Sequence, residues 1–266
     1  MSSLEKALQI LGCFSSDRVV LGVSAVAEEL GLPKSSVSRM MKAMAESGML
    51  EQPPGHRGYS PGVLAFRLGN LYQRRHNVPD LVDRGVARLV EEFGLTGYIG
   101  VLDGTDVVVT GVRQGTYPVR LVLPKGTRVP SHVTAIGRAI LAHHSPERVR
   151  SLFPADVRYS ETGQVSTPDE IAAAVAVVRE RGIATIEGVT YRGFNAAGAA
   201  VGSPDEDQVV GISLSYPHDV RTSDLVERIC ARVQETAAEI GSRIGDPFWL
   251  ERQQAAAPAE GRRRAG

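Results

Sequence analysis

Between positions 24 and 48, two short amphipathic helices are separated by a three-residue break that leaves little freedom in how they pack. The first runs from about Ser24, its expected N-cap, to Leu30 and puts Val26, Ala27 and Leu30 on one side. Gly31-Leu32-Pro33 ends it, because glycine admits the left-handed turn and proline suits the lead-in to a new helix. The second helix begins at Lys34 or Ser35, turns Val37, Met40, Met41 and Met44 inward, and stops at Ser47-Gly48. Upstream, Leu4, Ala7, Leu8, Leu11 and Phe14 recur at helical spacing between Ser3 and Phe14. Downstream, strand-like pieces at Met49–Gln52 and Gly58–Ser60 flank Pro53-Pro54-Gly55-His56-Arg57, which continues neither a helix nor a ladder. Three helices and a hairpin predict a winged helix-turn-helix over residues 1–61.

On the third helix, Ser35, Ser38, Arg39 and Lys42 share the face opposite the methionines, with Ser36 beside them. Small hydroxyls next to cations allow close approach to a duplex. Serines near the helix start bond phosphates or base edges, Arg39 matches the paired acceptors of guanine, and Lys42 suits a phosphate. An ordinary solvated face can carry the same residues; the tight turn and a wing bearing His56 and Arg57 favour double-stranded DNA. The whole chain is neutral, with 30 basic and 30 acidic residues, but the charge is unevenly placed. Up to Arg75 there are 9 Lys/Arg and 6 Asp/Glu, a net of +3, which leaves 21 and 24, a net of −3, for the rest.

Leu64, Leu68, Leu71 and Tyr72 mark a linker helix over 62–77, with Arg74-Arg75-His76-Asn77 as its exposed end. The second domain, 78–251, opens with a helix carrying Val82, Val86, Leu89, Val90 and Phe93. Strands follow at Gly97–Leu102, Asp106–Val112 and Val119–Leu123, then helices at Thr134–His143, Pro146–Leu152 and Pro168–Arg181. Further strands fit Ile183–Glu187, Ala197–Gly202 and Gln208–Ser215, and a helix over Ser223–Ile244 closes the domain. This order predicts an α+β fold with a mainly antiparallel sheet. The tail, 252–266, has little to bury and is expected to be disordered.

Several function classes are disfavoured. No apolar run approaches the ~18 residues of a membrane span, and the N-terminus lacks a signal peptide's basic region, so a cytoplasmic chain without a membrane partner is expected. Cys13 and Cys230 fall in apolar-periodic stretches and read as core thiols. Ser3-Leu4-Glu5-Lys6 matches an acyl-enzyme pattern without its companion motifs and reads as a helix cap. His132, His143 and His144 lack partners at metal-ligand spacing, with His132 expected in a packing or hinge role. Gly193–Gly202 lacks the spacing of a phosphate cradle, and no acid–base constellation can be assembled. No catalytic residue, metal or cofactor is expected.

The stretch LGVSAVAEELGLPKSSVSRMMKAMAESGMLEQ, followed by GYSPGVLAFRLGNL, resembles the IclR family of bacterial transcription regulators. So do LPKGTRVPSHVTAIGRAILAHH, RGIATIEGVTYRGFNAAGAAV and VVGISLSYP, in family order. The resemblance implies a winged helix joined by a helix to a GAF-like effector domain, acting as a homodimer or dimer of dimers on palindromic operators. It places Leu121, Leu123, Ala135, Ile136, Glu187, Ala196, Ser213 and Ser215 around a small-molecule effector, with Ala135-Ile136 amides at a helix start. The chain departs from the family where a Cys often occupies the position of Ala196, and where Glu187 is the sole carboxylate of Ile186–Thr190. Tyr191, Arg192, Phe194 and Asn195 make the adjoining loop bulky, so the effector is expected to be apolar or aromatic rather than a small keto acid. The alternative is a small-molecule sensor or enzyme-like module whose N-terminal domain pairs with proteins.

Overall fold

The computed structural model describes all residues except Met1, 15–17, 75–76, 160–164, 189–190, 203–207, 221 and 257–266. The chain divides into two compact units, Met1–Asn77 and Val78–Gly266.

The first unit packs α1 (Ser3–Gly12), α2 (Val23–Leu30) and α3 (Lys34–Glu46) around Ile10, Val26, Val37 and Met41. Gly31 caps α2 in the left-handed conformation (φ 61°), which makes the reversal into α3 possible. A hairpin of β1 (Leu50–Glu51) and β2 (Ser60–Pro61) forms the wing, and a two-way backbone bond between Leu21 and Tyr59 ties its base to the segment before α2. Helix α4 (Val63–Arg74) follows. Two local expectations change. The cap of α2 is Gly22 rather than Ser24, which lies inside the helix, and α1 is capped by Ser2 in a capping box with Glu5. Helix α1 also turns Ile10 and Cys13 inward and leaves Leu4 (69 % exposed) and Leu8 (58 %) in solvent. The predicted exposed end of the linker lies partly outside the described residues, since 75–76 are among those not described.

In the second unit, α5 (Asn77–Phe93) precedes β3 (Thr96–Asp103), β4 (Asp106–Arg113) and β5 (Arg128–Pro130). Then come α6 (Ala135–Leu141), α7 (Pro146–Leu152), the short β6 (Val157–Arg158) and β7 (Val165–Ser166), and α8 (Pro168–Arg181). Strands β8 (Ala184–Glu187), β9 (Phe194–Gly202) and β10 (Val209–Pro217) precede α9 (Ser223–Ile244) and α10 (Pro247–Ala256). Six strands form one antiparallel sheet in the order β5-β4-β3-β10-β9-β8. One face buries Ile99, Ala197, Ile212 and Leu214 against α5 and α9; the other buries Tyr98, Val107, Val109 and Ile186 with α6, α7 and α8. With both faces covered, β9 and β10 are buried almost throughout, and the polar alternation of β10, Ser213 and Ser215 between Ile212, Leu214 and Tyr216, lies inside the domain rather than at its surface.

Residues 119–123 form no strand: Pro118 and Pro124 bracket them, and the third strand is instead Arg128–Pro130, held on β4 with Arg128 paired to Asp103 and Asp106. The segment from Arg252, expected to be disordered, begins as the second half of α10. That helix has partners the composition did not reveal. Asp246 accepts from the Gly202 and Phe248 amides at 2.7 and 3.0 Å, and the Trp249 indole donates to the Ala200 carbonyl at 2.8 Å. His143 stacks on Phe248 and reaches Asp246 at 3.3 Å, while the Arg252 guanidinium lies 4.1 Å from the Phe248 ring centre.

His132 sits in the core, edge-on to Phe153 and Tyr159, with both ring nitrogens unpartnered. Burial, reinforced by Arg138, pushes its imidazole below the ordinary histidine value, Asp106 acting weakly the other way. The unfolded chain therefore takes up a proton at higher pH than the folded one. The neutral ring's contribution is complete above the unfolded value of ~6.5 and is lost as pH falls toward the lower folded value. In urea unfolding followed by Trp249 fluorescence, His132→Phe is expected to lose less stability than wild type between pH 7 and pH 5. Equal slopes would show that His132 does not titrate on unfolding.

Candidate functional site

Two places on the chain carry chemistry. The first is the exposed face of α3. Ser35, Ser38, Arg39 and Lys42 all point to solvent, whereas Ser36 is half-buried at the edge of that face. Lys42 lies 3.9 Å from Glu46, an exposed pair that contributes little and yields readily to a phosphate. His56 and Arg57 are exposed on the wing, where His56 donates its amide to Pro53 in a tight turn closed by left-handed Gly55 (φ 79°). Lys34, the first residue of α3, is exposed beside Ser38 on the same side; the sequence reading used it only as a helix start. No side chain caps α3, so its first amides remain available to an anion.

The second place is a cavity of about 60 Å³ between the sheet and the start of α6. Leu121, Leu123, Ala135, Ile136, Ala196, Ser213 and Ser215 all line it. Glu187 does not: along β8 it is Ile186 that turns into the cavity, and Glu187 is exposed on the alternate face. None of the lining residues bears a charged side chain. Tyr98 and Thr134, which the sequence reading missed, also line it, as do Tyr191, Phe194 and Asn195 of the loop expected to be bulky. Of these, Tyr98 lies directly across from Ser213 and shares its face, a pairing that only the structure shows.

The cavity's shape follows from small residues beneath α6. A Cβ at Gly198 would stand 2.8–2.9 Å from the Ala135 and Ile136 backbone, and one at Gly211 2.6 Å from the Ile136 side chain. Thr134 caps α6, donating to the Pro130 carbonyl at 2.8 Å and accepting from the Gly137 amide at 3.2 Å. Across the opening runs the segment after β4, whose Leu121 carbonyl accepts the Tyr98 hydroxyl. Burial pushes the Tyr98 phenol up to about 12, so this donor keeps its proton throughout the neutral range.

The family "Bacterial transcriptional regulator IclR C-terminal" matches residues 71–242, and "IclR helix-turn-helix domain" matches residues 3–54. The chain belongs to the IclR family. It is a DNA-binding transcription regulator with an N-terminal helix-turn-helix and a ligand-binding C-terminal domain. It is 26 % identical over 248 residues to the transcriptional repressor IclR of Escherichia coli, covering 92 % of this chain and 90 % of that protein. It is 29 % identical over 248 residues to the HTH-type transcriptional regulator TsaQ1/TsaQ2 of Comamonas testosteroni, covering 90 % and 88 %. A crystal structure assigned to the IclR regulators from Silicibacter sp. TM1040 superposes with a TM-score of 0.83 at 25 % identity, over 93 % of this chain and 99 % of that one. An IclR homolog from Microbacterium hydrocarbonoxydans, solved in complex with 4-hydroxybenzoate, shares the fold (TM-score 0.74, 19 % identity, 92 % and 99 % coverage).

Proposed function

We propose that this IclR-family regulator reads its operator with Ser35, Ser36, Ser38, Arg39 and Lys42 in the major groove and with His56 and Arg57 of the wing against the backbone or the minor groove. The observation that carries this reading is the exposed row of hydroxyls and cations on α3, opposite the buried Val37 and Met41. A cytoplasmic regulator rather than an enzyme is the reading that its family membership favours.

The cavity under α6 is the effector site. Its ligand is a small, mainly apolar or aromatic molecule, received among Leu121, Leu123, Ala135, Ile136, Ala196, Ser213 and Ser215, with Glu187 left outside. The apolar lining favours this class, and the Microbacterium relative was crystallised with an aromatic acid. Ligand binding shifts the balance between arrangements that fit and do not fit the operator, by a coupling of roughly 1–3 kcal/mol.

The working unit is a homodimer, or a dimer of dimers, on a palindromic site. Within the first unit, Leu4 and Leu8 of α1 and Phe66 (72 % exposed) and Leu71 (60 %) of α4 remain in solvent. A second copy of this unit is the natural cover.

Fluorescence anisotropy against DNA from upstream of the protein's own gene, with excess competitor and varied salt, tests the first claim. Saturable binding that weakens with salt is expected, and Arg39→Ala should cost about 1–3 kcal/mol of specific affinity with its circular dichroism unchanged. Undiminished binding by that variant would remove Arg39 from the interface. In sedimentation experiments, Phe66→Glu combined with Leu8→Glu is expected to weaken self-association by at least about tenfold, given the apolar area lost to each partner. An unchanged dimer would place the interface elsewhere.

A further inference from the structure

The cavity under α6 is small for the molecule it is read to receive. Its volume is about 60 Å³, whereas a cavity that holds a single benzene ring measures roughly 150 Å³. Some part of the wall has to move before a ring-sized ligand fits, and the walls differ in how firmly they are fixed.

The floor and roof are held. Strands β3, β10 and β9 each pair with a strand on either side, and α6 sits against Gly198 and Gly211 too closely to admit even a Cβ. The loop that brings Tyr191 and Phe194 to the cavity is tied by backbone bonds from Phe194 to Tyr191, from Gly188 to Phe194 and from His218 to Gly193. Asn195 borders the cavity with its amide buried and unpartnered, but its register opposite Glu187 and Tyr216 puts that side chain on the other face of the sheet.

The segment 118–123 is held differently. It lies outside every helix and strand, and none of its residues makes a backbone–backbone hydrogen bond to a described residue. The Arg120 side chain bonds only the Gly115 carbonyl, within the same loop. Val119, Arg120 and Val122 are exposed, while Leu121 and Leu123 line the cavity. The tie to the sheet is Tyr98, a buried residue of β3 that donates its hydroxyl to the Leu121 carbonyl. After burial, the strongest influence on that phenol is a hydrogen bond from the Leu123 backbone, so both leucines meet it. One phenol and two apolar side chains make this the wall that yields.

Resting on the reading of this cavity as the effector site, we infer that residues 118–123 are a gate and that the Tyr98 hydroxyl is its latch. The cavity as it stands is the closed form. A ring placed among Leu121, Leu123 and Ile136 pushes the segment outward, so the ligand and the Tyr98–Leu121 bond exclude each other. Only the unlatched protein binds, and the apparent affinity falls with the unlatched fraction. Binding also displaces the exposed strip of Val119, Arg120 and Val122, which carries the change to the surface.

Limited digestion of the full chain with trypsin reports the gate, because the bond after Arg120 enters a protease readily only when the segment swings free. Loss of one ordinary hydrogen bond raises the open population about tenfold. Tyr98→Phe is therefore expected to be cut after Arg120 about tenfold faster than wild type, with cutting after Arg57 of the wing unchanged. In titration calorimetry the same variant should bind 4-methylphenol about tenfold tighter, and saturating 4-methylphenol should speed the cut in wild type. Circular dichroism is the folding control. Should Tyr98→Phe not fold, Leu123→Ala carries the same test, since it loosens the segment but leaves the latch and the cut bond in place. A variant cut no faster than wild type overturns the inference, as does one that is cut faster yet binds 4-methylphenol no tighter than wild type binds it. Faster cutting with 4-methylphenol bound by neither protein supports the gate and removes the effector reading instead.

Discussion

The C-terminal domain depends on one close approach, that of helix α6 to the sheet. Gly198 on β9 and Gly211 on β10 lie beneath it, and Gly100 on β3 leaves room for the Ile136 side chain, where an added Cβ would come within 3.2 Å. At its own start, Gly137 passes so close to Ser131 that a Cβ would meet that backbone at 2.3 Å. Any larger residue at these points must push the helix off the sheet or distort it, because packed interiors give little. The glycines weaken their strands individually; they are kept for proximity.

That proximity makes the cavity. Seated low on the sheet, α6 begins at Ala135 and Ile136, which line the cavity together with Ala196 and the two serines of β10. The segment carrying Leu121 and Leu123 closes the opening, tied to the floor by the Tyr98 hydroxyl. A ligand entering here touches α6, the sheet and the closing segment at once, so its binding energy acts on three elements packed by a single contact surface. The opposite face of the sheet is filled by α5 and α9, and Trp249 occupies the space beside Gly241.

Much of this was legible in the sequence where local chemistry decides the outcome. The Gly31-Leu32-Pro33 break, the capping box of Thr167 and Glu170, and the bounds of α7, α8 and α9 follow from turn and cap rules that need no distant partner. Where tertiary contacts decide, the sequence misled. Residues 119–123 have the composition of a strand, yet the prolines on either side deny them a ladder. The Arg252 segment looked featureless because its anchors, Asp246, Phe248 and Trp249, reach residues 44 to 103 positions away, such as Gly202 and His143. The cavity shows the same division. Ser213 and Ser215 were readable from strand alternation, whereas placing Glu187 required knowing which face of β8 turns inward.

The central claim is that the cavity under α6 governs DNA binding from a distance. Filling it tests that claim most directly. Ala196→Phe would place a ring in the cavity from β9, and its operator affinity would be measured by anisotropy alongside wild type against a panel of small phenols and aromatic acids. The account predicts that at least one compound shifts the wild-type affinity by about fivefold or more, within the usual range of such couplings, and that Ala196→Phe binds the same DNA without responding. A variant that responds as wild type does, or a wild type indifferent to the whole panel, would contradict it.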